Sequence, residues 1–234
     1  LNNSSRLDAL SPIIEHINPT NIHLLKQSGI YNFEINGYNL IFGNFSILDS
    51  NCVSKWPKLE DTKIYFKDNL KNITIALYHG IITDSKTDVN HQFYNDGIPV
   101  AYFDGWNYLA CGDIHKMQFL RPNKTGFMCG SLLQQDFGES IDKGFLNLNL
   151  ENKQITQIIL PNEYSYYTLK IPGLEVPQNI SDIPKHPRLR IFTDIKDLSI
   201  STKEAIRLQA YRYYDPIYVS IMTNPNIGNE TTDK

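Results

Sequence analysis

Two short, unbroken apolar runs constrain this chain more than any other feature. Ile73-Thr74-Ile75-Ala76-Leu77-Tyr78 and Tyr108-Leu109-Ala110-Cys111 are apolar or β-branched with almost no polar alternation. Runs of this length and character read as buried strands, as in a parallel sheet. Each stops beside glycine and residues able to bind metals, the first at His79-Gly80 and the second at Gly112-Asp113-Ile114-His115. In open α/β sheets, ligands collect beyond the carboxyl ends of strands, so this placement marks a candidate site.

The remaining punctuation organises the chain around those strands. A short helix begins near Ser11, is broken at Pro19 and leads to an extended stretch at 22–25. Segments 31–33 and 39–47 read as a hairpin turned by Asn36-Gly37. A strand is expected to run from Phe127 past Gly130-Ser131, followed by a hairpin of 144–150 with 154–160 and a further strand at 164–171. Pro172, Pro177, Pro184 and Pro187 break the next stretch four times, which reads as a linker. Beyond it come a strand at 188–192, a helix at 202–214 with Ser201 as its cap, a strand at 217–222, and a frayed end at 224–234. The expected class is α/β, with domains at 1–171 and 188–234 joined by 172–187.

Length and charge set the outer bounds. A chain of 234 residues suffices for one large domain or a medium and a small one, and 41% apolar residues support a packed core. The net charge of -3 gives no general pull toward nucleic acid, so contact with a polyanion needs a local patch or bound cations. Cys52, Cys111 and Cys129 form an odd, unpaired set that suits a reducing, intracellular setting. No apolar run approaches the roughly 18 residues of a membrane span, and the opening Leu1-Asn2-Asn3-Ser4-Ser5 is not a signal peptide. The chain starts with Leu rather than Met, so it is expected to be the later part of a longer product.

Imidazole and carboxylate together suit Mn²⁺, Fe²⁺ or Zn²⁺, and His79, Asp113 and His115 are the candidate ligands. Residues two apart at a strand end project to one side, which would bring Asp113 and His115 together. Gly80 and Gly112 would let the backbone turn beside them and leave room for substrate. A pair of ions about 3.5–4 Å apart in such a site activates water for in-line attack on a phosphodiester. For a lone histidine after a strand, a hydrogen-bonded structural role is the commoner alternative. His16, His23, His91 and His186 have no partner at ligand spacing and read as surface residues, Cys111 as a small buried hydrophobe and Cys129 as packing.

At these residues the chain resembles the calcineurin-like metallophosphoesterases, and among them the SbcD-like nuclease subunits with their phage and viral relatives. Leu77-Tyr78-His79-Gly80 resembles the family's fourth motif, and the stretch from Phe103 to Lys116, containing Gly112-Asp113-Ile114-His115, its fifth. Cys129-Gly130-Ser131, then Gln135-Asp136-Phe137-Gly138-Glu139 and Gly144-Phe145, is similar to a pattern of the nuclease branch. The resemblance runs from about Arg6 to Phe145 and more loosely through the final unit, which looks like the family's capping domain. It implies a metallophosphoesterase β-sandwich flanked by helices with a small α+β cap. It also implies that His79 binds one metal and His115 the other, and that Asp113 stands where many members carry a histidine. Gly80, Gly112 and Ser131 would border the metals or the substrate.

Asn107 in place of the usual Asp and Cys129 in place of Pro are departures expected to be structural. The family's first three motifs, which supply the bridging carboxylate and the acid–base histidine, are not found before His79, and Gly43-Asn44-Phe45-Ser46 lacks the histidine of the third. The resemblance therefore implies half of a site for two divalent metals, Mn²⁺ before Mg²⁺ or Zn²⁺, in a chain inactive alone. It implies DNA as substrate in repair or recombination, an SMC-type ATPase partner, and homodimerisation through the missing part. The lysines between Lys55 and Lys71 and Arg188, Arg190, Arg207 and Arg212 are candidate DNA contacts, against the plainer reading of a solvated face. The alternatives are a non-catalytic scaffold that binds the ATPase and a small-molecule phosphodiesterase.

Overall fold

A computed structural model describes residues 11–17, 19–47 and 55–223. Cys52, the stretch before Ser11 that begins the resemblance, and the segment 224–234 lie outside them. The protein is mixed α/β and forms two compact units, Leu1–Gly130 and Ser131–Lys234.

The first unit opens on helix α1 (Ser11–Ile17) and is built on six strands: β1 (Gly29–Ile35), β2 (Tyr38–Phe45), β3 (Lys71–His79), β4 (Tyr108–Gly112), β5 (Gln118–Phe119) and β6 (Gly126–Met128). Their order is β1-β2-β3-β4-β6-β5; β2, β3, β4 and β6 run parallel, and antiparallel strands close both edges. The β1–β2 hairpin turns on Asn36 at φ 50° and Gly37 at φ 83°, the paired positive values that make Asn-Gly a hairpin turn. The strand expected to pass Gly130-Ser131 instead ends at Met128, and Gly130 turns the chain with φ 75°.

The two faces of this sheet differ. One carries Ile41, Phe45, Ala76, Leu109, Cys111 and Met128 against Trp56, Phe103 and Trp106, all buried. Phe45 meets Trp56, Phe103 and Trp106 edge-on with ring centroids 5.0–5.8 Å apart, the favoured aromatic geometry. Gly43 is needed beneath this cluster, because a Cβ there would lie 2.2 Å from the Trp106 ring. The strand register places Tyr31, Phe33, Leu40, Phe42, Ile73, Leu77 and Ala110 on the other face. These are only half-buried, although Ile75, Tyr108 and Phe127 beside them are buried, and Ile35 on the same face is 53% exposed. The continuous apolar runs therefore lie in a sheet that is fully covered on one side.

The second unit contains the hairpin of β7 (Gly144–Asn149) and β8 (Gln154–Ile159), turned through Lys153 at φ 60°. Its other sheet holds β9 (Tyr166–Ile171), β10 (Arg188–Thr193) and β11 (Tyr218–Thr223), parallel in the order β11-β10-β9, with helix α2 (Ile200–Tyr214) crossing from β10 to β11. Ile206, Ala210 and Tyr214 of α2 share a core with Leu169, Leu189, Ile191 and Val219. Three expectations are corrected here. The division falls after Gly130, not at 171, because β9 hydrogen-bonds to β10. The proline-rich stretch is a strap rather than a linker: Val176 is 4% exposed in this core, its N–H donates to Gln209 Oε1 at 3.0 Å, and Gly173 N–H donates to Asp194 Oδ1 at 2.7 Å. The cap of α2 is Ser199, whose Oγ accepts the Thr202 N–H at 3.1 Å, not Ser201.

Candidate metal centre

His79 is the last residue of β3 and pairs with Gly112, the last of β4. The Gly80 N–H donates to the Gly112 carbonyl at 3.3 Å, tying the two strand ends together. His79 Nε2 then lies 3.7 Å from Asp113 Oδ1, with side chains 61% and 43% exposed. Both glycines leave room for the side chains beside them. A Cβ on Gly112 would sit 2.8 Å from His79 Nδ1, and one on Gly80 would sit 2.5 Å from the Tyr78 hydroxyl oxygen.

Asp113 has φ 98°, a value L-residues rarely adopt. It is held between Gly112, fixed in the sheet, and Ile114, which is 7% exposed in the aromatic core. Strain of this kind persists where the surroundings over-determine it, and such sites are often functional. Strand geometry ends at Gly112, so the rule that residues two apart share a side does not carry past Asp113. Among the described residues, no group of three or more His, Cys, Asp and Glu side chains is placed to hold a metal ion. The structure thus joins His79 to Asp113 and leaves half-buried His115 outside a three-donor cluster.

A cleft of about 600 Å³ runs along the carboxyl ends of β2, β3 and β4. Asn44, Leu77, His79, Cys111 and Cys129 line it, with Leu24 and Leu25 on the opposite rim. That rim is held by Asn44 Nδ2, which donates to the Leu25 carbonyl at 2.9 Å and the Gln27 carbonyl at 2.8 Å. Burial, aided by Cys129 and partly offset by Arg121, pushes the Cys111 thiol up to about 12, and burial raises Cys129. Burial also raises the Tyr78 phenol, with smaller contributions from Cys111 and Asp113. Burial thus favours the neutral thiol at both cysteines.

Asn107 is structural: its Oδ1 accepts the Thr74 N–H at 2.8 Å, and its own N–H donates to Thr74 Oγ1 at 3.1 Å. Ser131 belongs to the second unit, and its hydroxyl is buried with no hydrogen-bond partner among the described residues. The Gln134–Glu139 loop also folds there, Gln134 Oε1 accepting the Tyr166 N–H at 2.9 Å and Glu139 pairing with buried Lys143 at 3.3 Å. Nothing in the residue pattern had shown these ties. His186, read as a surface residue, is packed, paired with Asp215 at 3.0 Å and stacked on Tyr164. The lysines between Lys55 and Lys71 are exposed but interleaved with Glu60, Asp61 and Asp68, and Lys67 pairs with Glu34. They do not form a one-sign patch. No helix among the described residues is long and apolar enough to cross a membrane.

No family model matches the chain. It is similar to an uncharacterized protein of Acanthamoeba polyphaga mimivirus, 38% identical over 198 residues that make up 83% of this chain and 14% of the viral protein. The chain therefore spans about one seventh of the length of the curated relative it matches.

Proposed function

We propose that this chain is the later part of a two-metal phosphodiesterase of the DNA-nuclease kind, in which His79 and Asp113 are two ligands of one divalent ion. The carrying observation is the placement of an imidazole and a carboxylate 3.7 Å apart at the ends of adjacent parallel strands, on a backbone strained at Asp113. Two ligands about 2.1 Å from one ion span roughly 3–3.4 Å, so a small rotation of either side chain would seat a metal between them. Mn²⁺ fits this mixed donor set best, with Mg²⁺ or Zn²⁺ as alternatives. Bound there, divalent ions would polarise a phosphoryl oxygen and activate water for in-line attack. His115 is the proposed ligand of the second ion.

The remaining ligands are proposed to come from polypeptide outside this chain. The half-buried apolar face of the six-stranded sheet supports this, because a second layer packed on it would complete a metallophosphoesterase sandwich. So does the viral relative, of which this chain matches only 14%. An SMC-type ATPase as partner and dimerisation through the outside part belong to the same proposal. The second reading, a non-catalytic scaffold, is favoured by the lack of a three-donor cluster among the described residues.

Calorimetric titration of Mn²⁺ tests the proposal. Weak binding is expected for the chain alone, at least about tenfold weaker in Asp113→Gly and His79→Ala, with tight binding and DNA hydrolysis once the missing polypeptide is supplied. Asp113→Gly also relieves the positive φ, so its melting temperature should not fall. Mn²⁺ binding that ignores both substitutions would overturn the ligand assignment, and metal binding without hydrolysis in the completed protein would favour the scaffold.

A further inference from the structure

The three-stranded sheet of the second unit has one face under α2 and one face whose composition is unusual. The register sets the second face in rows across the strands: Tyr166–Arg188–Tyr218, Thr168–Arg190–Ser220 and Lys170–Phe192–Met222. Three of these nine positions are cationic, three are aromatic and none is acidic. The alternating burial of β10 separates the faces, since Leu189, Ile191 and Thr193 are buried beneath the helix while Arg188, Arg190 and Phe192 are half-exposed.

The two arginines are held by rings rather than by carboxylates. The Arg190 guanidinium lies 3.9 Å from the centre of the Phe137 ring, and that of Arg188 lies 5.2 Å from Tyr166. Phe137 and Tyr166 meet edge-on at 4.9 Å, so the four side chains form one continuous stack. Among the described residues neither guanidinium pairs with a carboxylate, and Asp215 at the end of α2 is taken by His186 at 3.0 Å. Cation–π contact orients a guanidinium without neutralising it. Two positive charges, on residues whose Cα atoms are about 6.6 Å apart along β10, therefore remain available to anions. Beside them on the edge strand, Tyr218 is 52% exposed and Met222 48% exposed.

We infer that this face binds single-stranded nucleic acid, with Arg188 and Arg190 on phosphates and Tyr218 stacked on a base. A sheet surface that alternates cations with open rings suits unpaired bases, because each base offers a π-face to an aromatic ring while the backbone runs past the positive charges. A duplex keeps its bases stacked inside and would use only the cations. The inference extends the nucleic-acid side of the proposed function without needing a metal.

The test is anisotropy of labelled oligo(dT) and oligo(rU) and of a duplex of equal length, titrated with the full chain in EDTA at several salt concentrations. Single strands should bind more tightly than the duplex. Tyr218→Ala should weaken single-strand binding about tenfold. Arg190→Gln should weaken it and lower the salt slope by about one. Lys203→Gln, on α2, which covers the other face of the sheet, should change nothing. Circular dichroism checks that each variant is folded, and Tyr218 is exposed enough to be replaced without loss of core. Absent binding, equal affinity for the duplex, or full affinity in Tyr218→Ala would overturn the inference. Because metal is excluded, these outcomes are separate from the Mn²⁺ titration, and either reading can fail while the other stands.

Discussion

Cys111 shows how a single buried residue ties the stability of the first unit to pH. Its side chain is 1% exposed, and burial pushes its thiol from 9.0 up to about 12. The unfolded chain ionises this group near its ordinary value while the folded chain keeps it protonated. Its stabilising contribution is therefore complete below about pH 9 and is lost as pH rises toward 12, by up to about 1.4 kcal/mol per pH unit. Burial moves Cys129 and Tyr78 the same way. The urea midpoint should fall as pH is raised from 8 to 10.5, and Cys111→Ala should flatten that dependence. An unchanged slope in the variant would assign the alkaline lability elsewhere. At this scale His79 and Asp113 were visible as polar residues at the ends of apolar runs, whereas their approach to 3.7 Å was not. Nor did the residue pattern show the φ of 98° at Asp113, which lies between a residue fixed in the sheet and Ile114, buried in a core assembled from distant residues.

At the level of elements, local chemistry was legible where two or three adjacent residues decide the outcome. Asn36-Gly37 is the case in point, since both positive φ values are favoured by the dipeptide itself. The start of α2 was not decided locally. Ser199 and Ser201 are both suitable caps, and the helix begins at the first, leaving Ile200 89% exposed. An apolar residue in water at the first helical position runs against any amphipathic pattern. It is set by the extended φ of -63° and ψ of 160° at Ser199, at the end of the loop that follows β10. Ser199→Ala should cost about 1 kcal/mol in urea unfolding, and Ser201→Ala a few tenths at most. Equal losses would mean that the Ser199–Ser201 hydroxyl contact at 2.8 Å matters more than the cap.

Considered whole, the molecule combines a second unit with a well-filled core and a first unit whose sheet is fully covered on one face only. Half-buried apolar side chains on the other face should bind a hydrophobic dye in the native state. Ile35→Lys, at a position 53% exposed, should reduce dye binding and self-association while shifting stability by no more than about 0.5 kcal/mol. Addition of the outside polypeptide proposed above should abolish dye binding altogether. Dye binding that ignores both changes would place the exposed apolar surface elsewhere.

The sequence by itself determined the α/β class, the two hairpins, the two strands that end at His79 and Gly112, and the β-α-β order of the final elements. These follow from backbone preferences and side-chain character over a few adjacent positions. Only the tertiary structure decided that β9 joins β10, that the proline-rich stretch straps Val176 into a core, that His79 meets Asp113 across two strand ends, and that Arg188 and Arg190 are held by rings on the sheet face opposite α2. Each of these depends on which distant segment supplies a hydrogen bond or covers an apolar surface, and that partner is chosen by packing across the whole chain.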